Sequence, residues 1–240
     1  GISGVRQRLT YVLSSFAYRH AAHTIGTTSE IIQYITDRFY VDKETTSVIP
    51  NWVDSSTFIP PDHSTRKITD KVLFVGRLSK EKNLSLLIQA LSNKKIGLTI
   101  VGSGPERNRI EMMAVEHAVP IEFLPQISNT LMPQYYQKYA VYILCSEFEG
   151  SPKTLLEAMS CGCAVIGTDS PGITSVIEHD RTGLIVPNSP SDLFNAIEYL
   201  LCKPTERQRL GLAAREFIVE RHSLDDAVKA EWSVYQKLVP

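Results

Sequence analysis

Two carboxylates eight residues apart frame the segment EGSPKTLLE at residues 149–157. The segment follows an apolar run that predicts a buried strand, and the residues from Lys153 onward predict a helix. A helix that begins near Lys153 would place Glu157 about one turn inside it, on the side facing the loop. Glu149 would remain in the loop itself. Carboxylate oxygens accept hydrogen bonds from hydroxyl groups, so this pair could contact a sugar and a ribose.

The helix start between the two acids could bind phosphate. Gly150 and Ser151 would leave backbone N–H groups free where the helix begins. Because a helix amino end carries roughly half a positive charge, a diphosphate could lie on the amides of residues 151–155. Spacing alone leaves open an alternative in which Glu149 is a solvated loop residue and Glu157 an ordinary helix acid.

A second cluster, GRLSKEKN at residues 76–83, again combines a strand end, a glycine turn and a predicted helix start. Arg77 could grip phosphate oxygens with two parallel hydrogen bonds, and Lys82 could add a point charge. Together they could neutralise a diphosphate as it leaves, which is electrostatic catalysis. The alternative is a solvated run of charges, which fits Lys80 and Glu81 better than Arg77.

Three further patterns carry less information. The loop Gly102-Ser103-Gly104-Pro105 could bring backbone close to a ligand, but it lacks the third glycine of the dinucleotide-binding fingerprint. Cys161 and Cys163 have one residue between them, which favours buried small side chains over a metal site. The six histidines show no metal-ligand spacing and no Gly-x-Ser-x-Gly motif is present, so the sequence predicts neither a metal centre nor a serine hydrolase.

Composition restricts the class of partner. With 25 Lys and Arg against 26 Asp and Glu, the chain has no overall bias toward nucleic acid or membrane, so an anionic ligand needs a local cluster of charge. The four cysteines lack the regular framework of a small secreted domain, which indicates reduced thiols and a cytoplasmic setting. The sequence contains no run of about eighteen apolar residues and no cleavable leader, so no membrane span is predicted.

Short β-rich apolar runs alternate with helical-period segments from Lys71 onward. This alternation predicts an α/β fold, with a Rossmann-like parallel sheet covered by helices on both faces. Asn83 and Ser191 stand where side-chain caps are expected. The predicted strands are residues 72–76, 98–102, 121–124, 141–145, 164–168 and 183–186. Helices are predicted to begin near Asn83, Glu106, Leu131, Lys153, Ile173 and Ser191, with two more at 205–220 and 224–238.

The loops at the carboxyl ends of these strands should gather on one edge of the sheet, where open α/β sheets bind ligands. Residues 1–60 are too few for an independent domain. They predict the last elements of a preceding α/β domain, with helices at 5–20 and 29–39, apolar strands at 24–27 and before Pro50, and a linker at 51–69. Residues 61–240 form the main predicted domain.

Taken together, these motifs resemble the carboxyl-terminal domain of family-four retaining glycosyltransferases. The resemblance rests on Gly76-Arg77-Leu78 with Lys82-Asn83, on VGSGP at 101–105, and on the acidic segment continuing as AMSCG to residue 162. VIPNWVD at 48–54, followed by Phe58, resembles the interdomain link of these enzymes. The sequence departs from the family at Trp52, where a glycine is usual, and at Pro125-Gln126, which replace a glycine near the base.

The resemblance implies a role for each matching residue. Arg77 and Lys82 would hold the diphosphate, Glu149 the transferred sugar and Glu157 the ribose, with Glu149, Arg77 and Lys82 as the catalytic set. Loop backbone would bind sugar and phosphates, and the loop at 125–127 would frame the base. The remaining implied donor-binding residues are Gly76, Gly102, Gly104, Gln126, Ile127, Gly150, Ser151, Pro152, Lys153, Thr154 and Leu155.

The implied architecture is the GT-B fold, two Rossmann-like domains with the active site in the cleft between them, of which this chain is the carboxyl-terminal half. The donor would be a nucleoside diphosphate-sugar, a UDP-sugar by expectation and a GDP-sugar as the alternative, with no prosthetic group or metal. The acceptor would be a saccharide or a lipid-linked saccharide in surface polysaccharide synthesis, with peripheral contact at the inner membrane face.

With the amino-terminal domain missing, the isolated chain is expected to bind donor but turn over poorly. Helix 224–238 would return to that domain, so its exposed apolar face could support self-association. Two other functions stay open from the sequence. One is a non-catalytic nucleotide-sugar-binding module, and the other is phosphorolysis or epimerisation on the same scaffold.

Overall fold

The computed structural model describes residues 2–62 and 67–239, with side chains from residue 8 onward. Residues 63–66 of the predicted linker lie outside this part. The chain divides into two compact units. The larger unit is Trp52–Leu224, and the smaller one combines Gly1–Asn51 with Asp225–Pro240.

The larger unit is built on a six-stranded, wholly parallel sheet. Its strands are short and mostly apolar, and three of them are buried along their whole length, as expected of strands covered on both faces. All six predicted strands are confirmed to within one residue at either end. They are β3 (Lys71–Val75), β4 (Gly97–Val101), β5 (Ile121–Leu124), β6 (Val141–Leu144), β7 (Ala164–Thr168) and β8 (Leu184–Val186).

The strand order is β5-β4-β3-β6-β7-β8. The chain therefore builds the sheet outward from β3 in one direction and outward from β6 in the other. Ligands of open parallel sheets bind outside the carboxyl ends of the strands where the order reverses. In this chain that point lies between β3 and β6, the two strands that precede the predicted cationic and acidic clusters.

Helices form a layer on each face of the sheet. One layer contains α3 (Leu84–Ala90), α4 (Arg107–Glu116) and α7 (Pro190–Cys202). The other contains α5 (Met132–Lys138), α6 (Lys153–Ser160) and α8 (Pro204–Arg221). The predicted fold class, a parallel α/β sheet with helices on both faces, is confirmed.

The helix predicted near Ile173 is wrong, because residues 171–176 form turns. Gly172 has φ of +81°, and a Cβ there would lie 2.0 Å from the Glu149 carbonyl oxygen. The backbone N–H of Glu149 also donates to the Pro171 carbonyl oxygen at 3.0 Å. This segment therefore packs backbone to backbone on the acidic loop, which a helix starting at the same place could not do.

Both predicted side-chain caps are also wrong. The N-cap of α7 is Ser189, whose hydroxyl accepts from the N–H of Asp192, and not Ser191. Asn83 occupies the N-cap position of α3 in the left-handed conformation but makes no capping hydrogen bond. Its side chain donates instead to Asn188 Oδ1 at 3.2 Å, so it ties two loops of the same sheet edge together.

The smaller unit contains a two-stranded parallel ladder, β1 (Thr24–Gly26) and β2 (Thr46–Val48), with helices α1 (Ile2–His20) and α2 (Ser29–Phe39). Helix α9 (Leu224–Leu238) supplies the carboxyl-terminal part of this unit. Thr28 caps α2 by accepting from the N–H of Ile31 at 3.2 Å. Within the described residues, no helix has the length and apolar character needed to cross a membrane.

Candidate functional site

The loops that follow β3 and β6 meet at the reversal point of the strand order. The N–H of Glu147 donates to the Glu81 carbonyl oxygen at 2.8 Å, which joins the two loops through their backbones. Lys82 Nζ then forms an ion pair with Glu149 Oε1 at 2.6 Å. Ser146 Oγ donates to the same carboxylate oxygen, also at 2.6 Å. One catalytic candidate from each predicted cluster therefore contacts the other directly.

The Lys82–Glu149 pair is largely shielded from water, with side-chain exposures of 20% and 11%. Charges in such a setting attract each other more strongly than they would in bulk water. A ligand that brings negative charge to Lys82, or hydroxyl groups to Glu149, would have to share these groups or separate them.

A cavity of about 580 Å³ opens at the carboxyl ends of β3 and β4, and we call it the carboxyl-edge cavity. It has the size of a small-molecule site. Its wall includes a cationic side chain, an acidic side chain and glycine-containing loops. It is lined by Val75, Gly76, Arg77, Val101, Gly102, Ser103, Gly104, Gln126, Ile127, Asn129, Met132, Thr154 and Glu157.

Eight of the predicted site residues line this cavity. The ion-paired residues Lys82 and Glu149 are outside its lining, as is most of the loop that leads into α6. The eight are Gly76, Arg77, Gly102, Gly104, Gln126, Ile127, Thr154 and Glu157, and the others are Lys82, Glu149, Gly150, Ser151, Pro152, Lys153 and Leu155.

Backbone segments pass so close together at two positions in the cavity wall that only glycine fits there. A Cβ on Gly102 would lie 2.1 Å from the Gly76 carbonyl oxygen, and the φ of Gly102 is +139°. A Cβ on Gly104 would lie 2.3 Å from the Leu78 carbonyl oxygen. The N–H of Leu78 donates to Ser103 O at 2.9 Å, so the loops after β3 and β4 are hydrogen bonded as well as packed. Arg77, exposed between these contacts, is held on a well-fixed backbone.

Glu157 is the buried acid of the carboxyl-edge cavity, with 8% of its surface exposed. Burial raises the pKa of its carboxyl group, while the hydrogen bond from Tyr136 and the nearby charge of Lys153 lower that pKa. Tyr136 Oη donates to Glu157 Oε2 at 2.9 Å. Burial, and then the negative charge of Glu157, raise the pKa of Tyr136 well above its ordinary value. The tyrosine therefore remains a donor and fixes one carboxylate oxygen.

The start of α6 is more constrained than the sequence predicts. The N–H of Leu155 donates to the Pro152 carbonyl oxygen at 3.1 Å, so this amide is not free for an anion. The Leu155 side chain is fully buried, so it does not contact a ligand. Lys153 Nζ lies 4.1 Å from the centre of the Trp52 ring, a cation–π contact. Thr154 Oγ1 accepts from Tyr142 Oη at 2.8 Å.

Several residues of this site were missed at the sequence level. Ser103 lies between two predicted glycines, so its place in the loop could have revealed it. Asn129 and Met132 follow β5 at the same sheet edge, and that position was the available signal. Tyr136 and Ser146 act through the acids they bond, and nothing in their spacing identifies these partners.

Comparison with known proteins matches the chain to the model of one family. Residues 55–217 match the model of the family described as glycosyl transferases group 1. A curated relative, D-inositol 3-phosphate glycosyltransferase of Pseudarthrobacter chlorophenolicus, is 27% identical over 213 residues, which cover 81% of this chain and 51% of that protein. The chain spans about half the length of the first curated relatives that it matches.

Solved structures give the same result at the level of the fold. Sucrose-phosphate synthase from Thermosynechococcus elongatus superimposes with a TM-score of 0.85 and 25% identity, covering 96% of this chain and 62% of that one. HepE of Anabaena, solved in complex with UDP and glucose, superimposes with a TM-score of 0.78 and 19% identity, covering 95% and 65%. At 19% identity, the likeness to HepE establishes the fold alone.

Proposed function

Because the chain belongs to the glycosyl transferases group 1 family, we propose that it binds a nucleoside diphosphate-sugar at the carboxyl edge of its sheet and takes part in retaining transfer of the sugar. The observation that carries this proposal is that the predicted cationic and acidic side chains meet at one point of the sheet edge. Arg77 and Glu157 line the same cavity, and the Lys82–Glu149 ion pair joins the loops that follow β3 and β6.

Arg77 and Lys82 are the groups that bind the diphosphate. Arg77 is exposed at the cavity wall and offers paired N–H donors to phosphate oxygens. Lys82 is held near the start of α6 by Glu149, where a second positive charge adds to the partial charge of the helix end. When the bond between the sugar and the diphosphate breaks, the leaving oxygen gains negative charge that these cations stabilise.

Glu157 binds the ribose and Glu149 the transferred sugar. One carboxylate oxygen of Glu157 accepts a hydrogen bond from Tyr136, so the carboxylate is fixed before the ligand arrives. A preorganised acceptor binds hydroxyl groups at a lower entropic cost. Glu149 shares one oxygen between Lys82 and Ser146. Among the described residues no hydrogen bond engages its other oxygen, which can accept from sugar hydroxyls. Gln126 and Ile127, which line the cavity after β5, frame the base.

UDP is the nucleotide we propose for the donor, with GDP as the alternative. The structure of HepE, which shares this fold and was solved with UDP and glucose, supports this proposal. The acceptor, a saccharide or lipid-linked saccharide, would be held by another domain, because the chain spans about half the length of its curated relatives. We propose that transfer by this chain alone is slow or undetectable for the same reason.

Calorimetric titration tests the proposed division of labour between the two acids. UDP, GDP and ADP are titrated into the full chain with a chelator present, because two cations and a helix end make a metal unnecessary. Glu157→Ala should weaken binding of the preferred diphosphate about tenfold or more, the range expected for a lost charged hydrogen bond. Glu149→Ala should leave bare diphosphate binding nearly unchanged, because the loss of positioning is offset when Lys82 is released from its ion pair to meet the phosphates. It should reduce discrimination among nucleotide-sugars. Equal losses of bare diphosphate binding in both variants would contradict the assignment.

A further inference from the structure

A second cavity, of about 520 Å³, lies at the opposite edge of the sheet, and we call it the amino-edge cavity. Ala140 directly precedes β6 and Ala164 opens β7, which places both at the amino ends of the strands. The carboxyl-edge cavity is lined by residues at or after the carboxyl ends of β3, β4 and β5, and by Thr154 and Glu157 of α6. The two cavities share no lining residue. The amino-edge cavity is thus separate from the proposed donor site.

One face of α8 forms much of its wall. Arg207, Gly211 and Arg215 are spaced four residues apart and therefore share one side of the helix. A Cβ on Gly211 would lie 2.3 Å from the Gly162 carbonyl oxygen, so the missing side chain lets α8 approach the turn after α6. The close approach at Gly211 brings the arginines on either side of it into the cavity wall.

The lining carries a surplus of positive charge. The described lining residues include three cations, Lys67, Arg207 and Arg215, and one carboxylate, Asp62. Within the part of the chain that the structure describes, no carboxylate oxygen lies within 4.0 Å of any of these cations. The positive charge of this cavity is therefore not neutralised by an ion pair of the described residues.

Lys67 is the most unusual of the three cations. Its Nζ is inaccessible to water and has no hydrogen-bond partner among the described residues. A buried ammonium group without a partner is strongly unfavourable, because it loses its hydration and gains nothing in return. The flexible Lys67 side chain would turn its Nζ toward the cavity to meet an anion there, and the anion would then supply the missing partner.

The two arginines are anchored by hydrogen bonds to backbone carbonyl oxygens, and Arg207 also has N–H groups that remain unbonded among the described residues. Arg207 Nη1 donates to the carbonyl oxygens of Leu200 at 2.5 Å and Leu201 at 2.7 Å. In residues 2–62 and 67–239, the structure gives no partner to its Nε or Nη2. Arg215 is fixed by the carbonyl oxygens of Phe58 and Ser55, among other contacts. Anchored guanidinium groups hold their charge in place without neutralising it.

We propose that the amino-edge cavity is a second binding site, for a small soluble molecule that carries a phosphate group. A lysine and two arginines around one concavity suit the charge and the oxygen geometry of phosphate. The volume lies within the range of small-molecule sites and exceeds what phosphate alone requires. Asp62 and Gln208 also line the cavity and offer hydrogen bonds to hydroxyl groups of the same ligand.

Inorganic phosphate is the probe, titrated by calorimetry into the full chain against potassium chloride of equal ionic strength. All proteins in the series carry Arg77→Ala, which removes the cavity-lining cation of the carboxyl-edge cavity. Lys67→Met should weaken phosphate binding about tenfold or more. The same variant should melt at a higher temperature than its parent without phosphate, because an unpartnered buried charge is gone. Arg207→Gln provides a second variant should Lys67→Met fail to fold.

Lys95→Met is the matched control, since Lys95 is an exposed lysine outside both cavities. It should leave both phosphate affinity and melting temperature unchanged. Equal phosphate affinity in the parent and in both cavity variants would overturn the proposal, as would the absence of binding. Binding to vesicles with and without anionic phospholipid distinguishes a lipid headgroup from a soluble molecule as the source of the phosphate group. Binding to anionic vesicles that depends on Lys67, without binding of soluble phosphate, would also overturn it.

Discussion

Glu157 and Tyr136 form a hydrogen-bonded pair that links the carboxyl-edge cavity to the protein interior. Tyr136 is fully buried and Glu157 nearly so. The hydroxyl of Tyr136 favours the charged form of Glu157, while burial favours the neutral form, and burial has the larger effect. The protonation state of the proposed ribose acceptor therefore depends on a balance that a single hydroxyl group can change.

UDP affinity should fall at acidic pH, because the acceptor loses its charge when Glu157 is protonated. Since burial places the pKa of Glu157 above its ordinary value of 4.5, this loss should begin at a higher pH than for a solvated glutamate. Tyr136→Phe removes a hydrogen bond that lowers this pKa, so it should move the loss to still higher pH. Calorimetric titrations of UDP from pH 4.5 to 8 give the midpoint pH at which this loss of affinity occurs.

Two variants separate this effect from other titrations. Glu157→Gln has no carboxylate at this position, so its curve shows only the pH dependence of UDP and of the remaining protein. Tyr135→Phe changes the neighbouring tyrosine, which is only partly buried, and should leave the midpoint where it is. A midpoint that is the same in wild type and Tyr136→Phe would show that the tyrosine does not act on Glu157.

At the scale of the element, the loops after β3 and β4 form a single backbone-packed unit. Gly102 and Gly104 approach the backbone of Gly76 and Leu78 more closely than any side chain would permit. Leu78 cannot move aside easily, because its side chain is fully buried. These glycines are therefore structural requirements of the cavity wall, in addition to any contact with a ligand.

Gly104→Ala should lower the free energy of unfolding by about 1–3 kcal/mol, the range for forcing an extra methyl group into a packed site. Ser103→Ala, in the same loop, is the matched control. Its side chain is exposed and its carbonyl oxygen keeps the hydrogen bond from Leu78, so the loss should stay within about 0.5 kcal/mol. Urea unfolding measures both. An equal loss in the two variants would mean that the close backbone contact is unimportant.

Periodicity and turn chemistry were enough to predict the sheet and most helices of the larger unit. Apolar runs bounded by glycine or small residues identify buried strands, so those predictions hold to within a residue. The predicted helix near Ile173 failed because tertiary contact with the Glu149 loop overrides a local helical pattern. The Asn83 cap failed because its side chain bonds Asn188, a residue more than a hundred positions away. The Ser191 cap failed because α7 begins earlier than predicted, at Pro190, and Ser189 caps it.

The site was predictable where function and fold use the same loops. Gly76, Arg77 and Glu157 follow strand ends or open a helix, so the sheet topology alone brings them to one edge. Tyr136 could not be predicted, because its partner depends on how α5 packs against α6. The cations of the amino-edge cavity come from segments 140 residues apart, at Lys67 and Arg207, and only the folded chain brings them together.

At the scale of the whole molecule, the larger unit contains every residue that lines either cavity. Its two ends lie close together, because the N–H of Val53 donates to His222 O at 2.9 Å. One sheet thus presents an acid-and-cation site at its carboxyl edge and a cationic cavity at its amino edge. The proposed donor chemistry depends on the first of these alone.

The most direct test of this account is the affinity of UDP for the Arg77→Ala variant of the full chain. Arg109→Ala is the matched control, because Arg109 is an exposed arginine on α4 that pairs with Glu106 and does not line the cavity. We expect Arg77→Ala to reduce UDP affinity about tenfold or more and Arg109→Ala to leave it unchanged. Absence of UDP binding, or equal affinity in the two variants, would contradict this expectation.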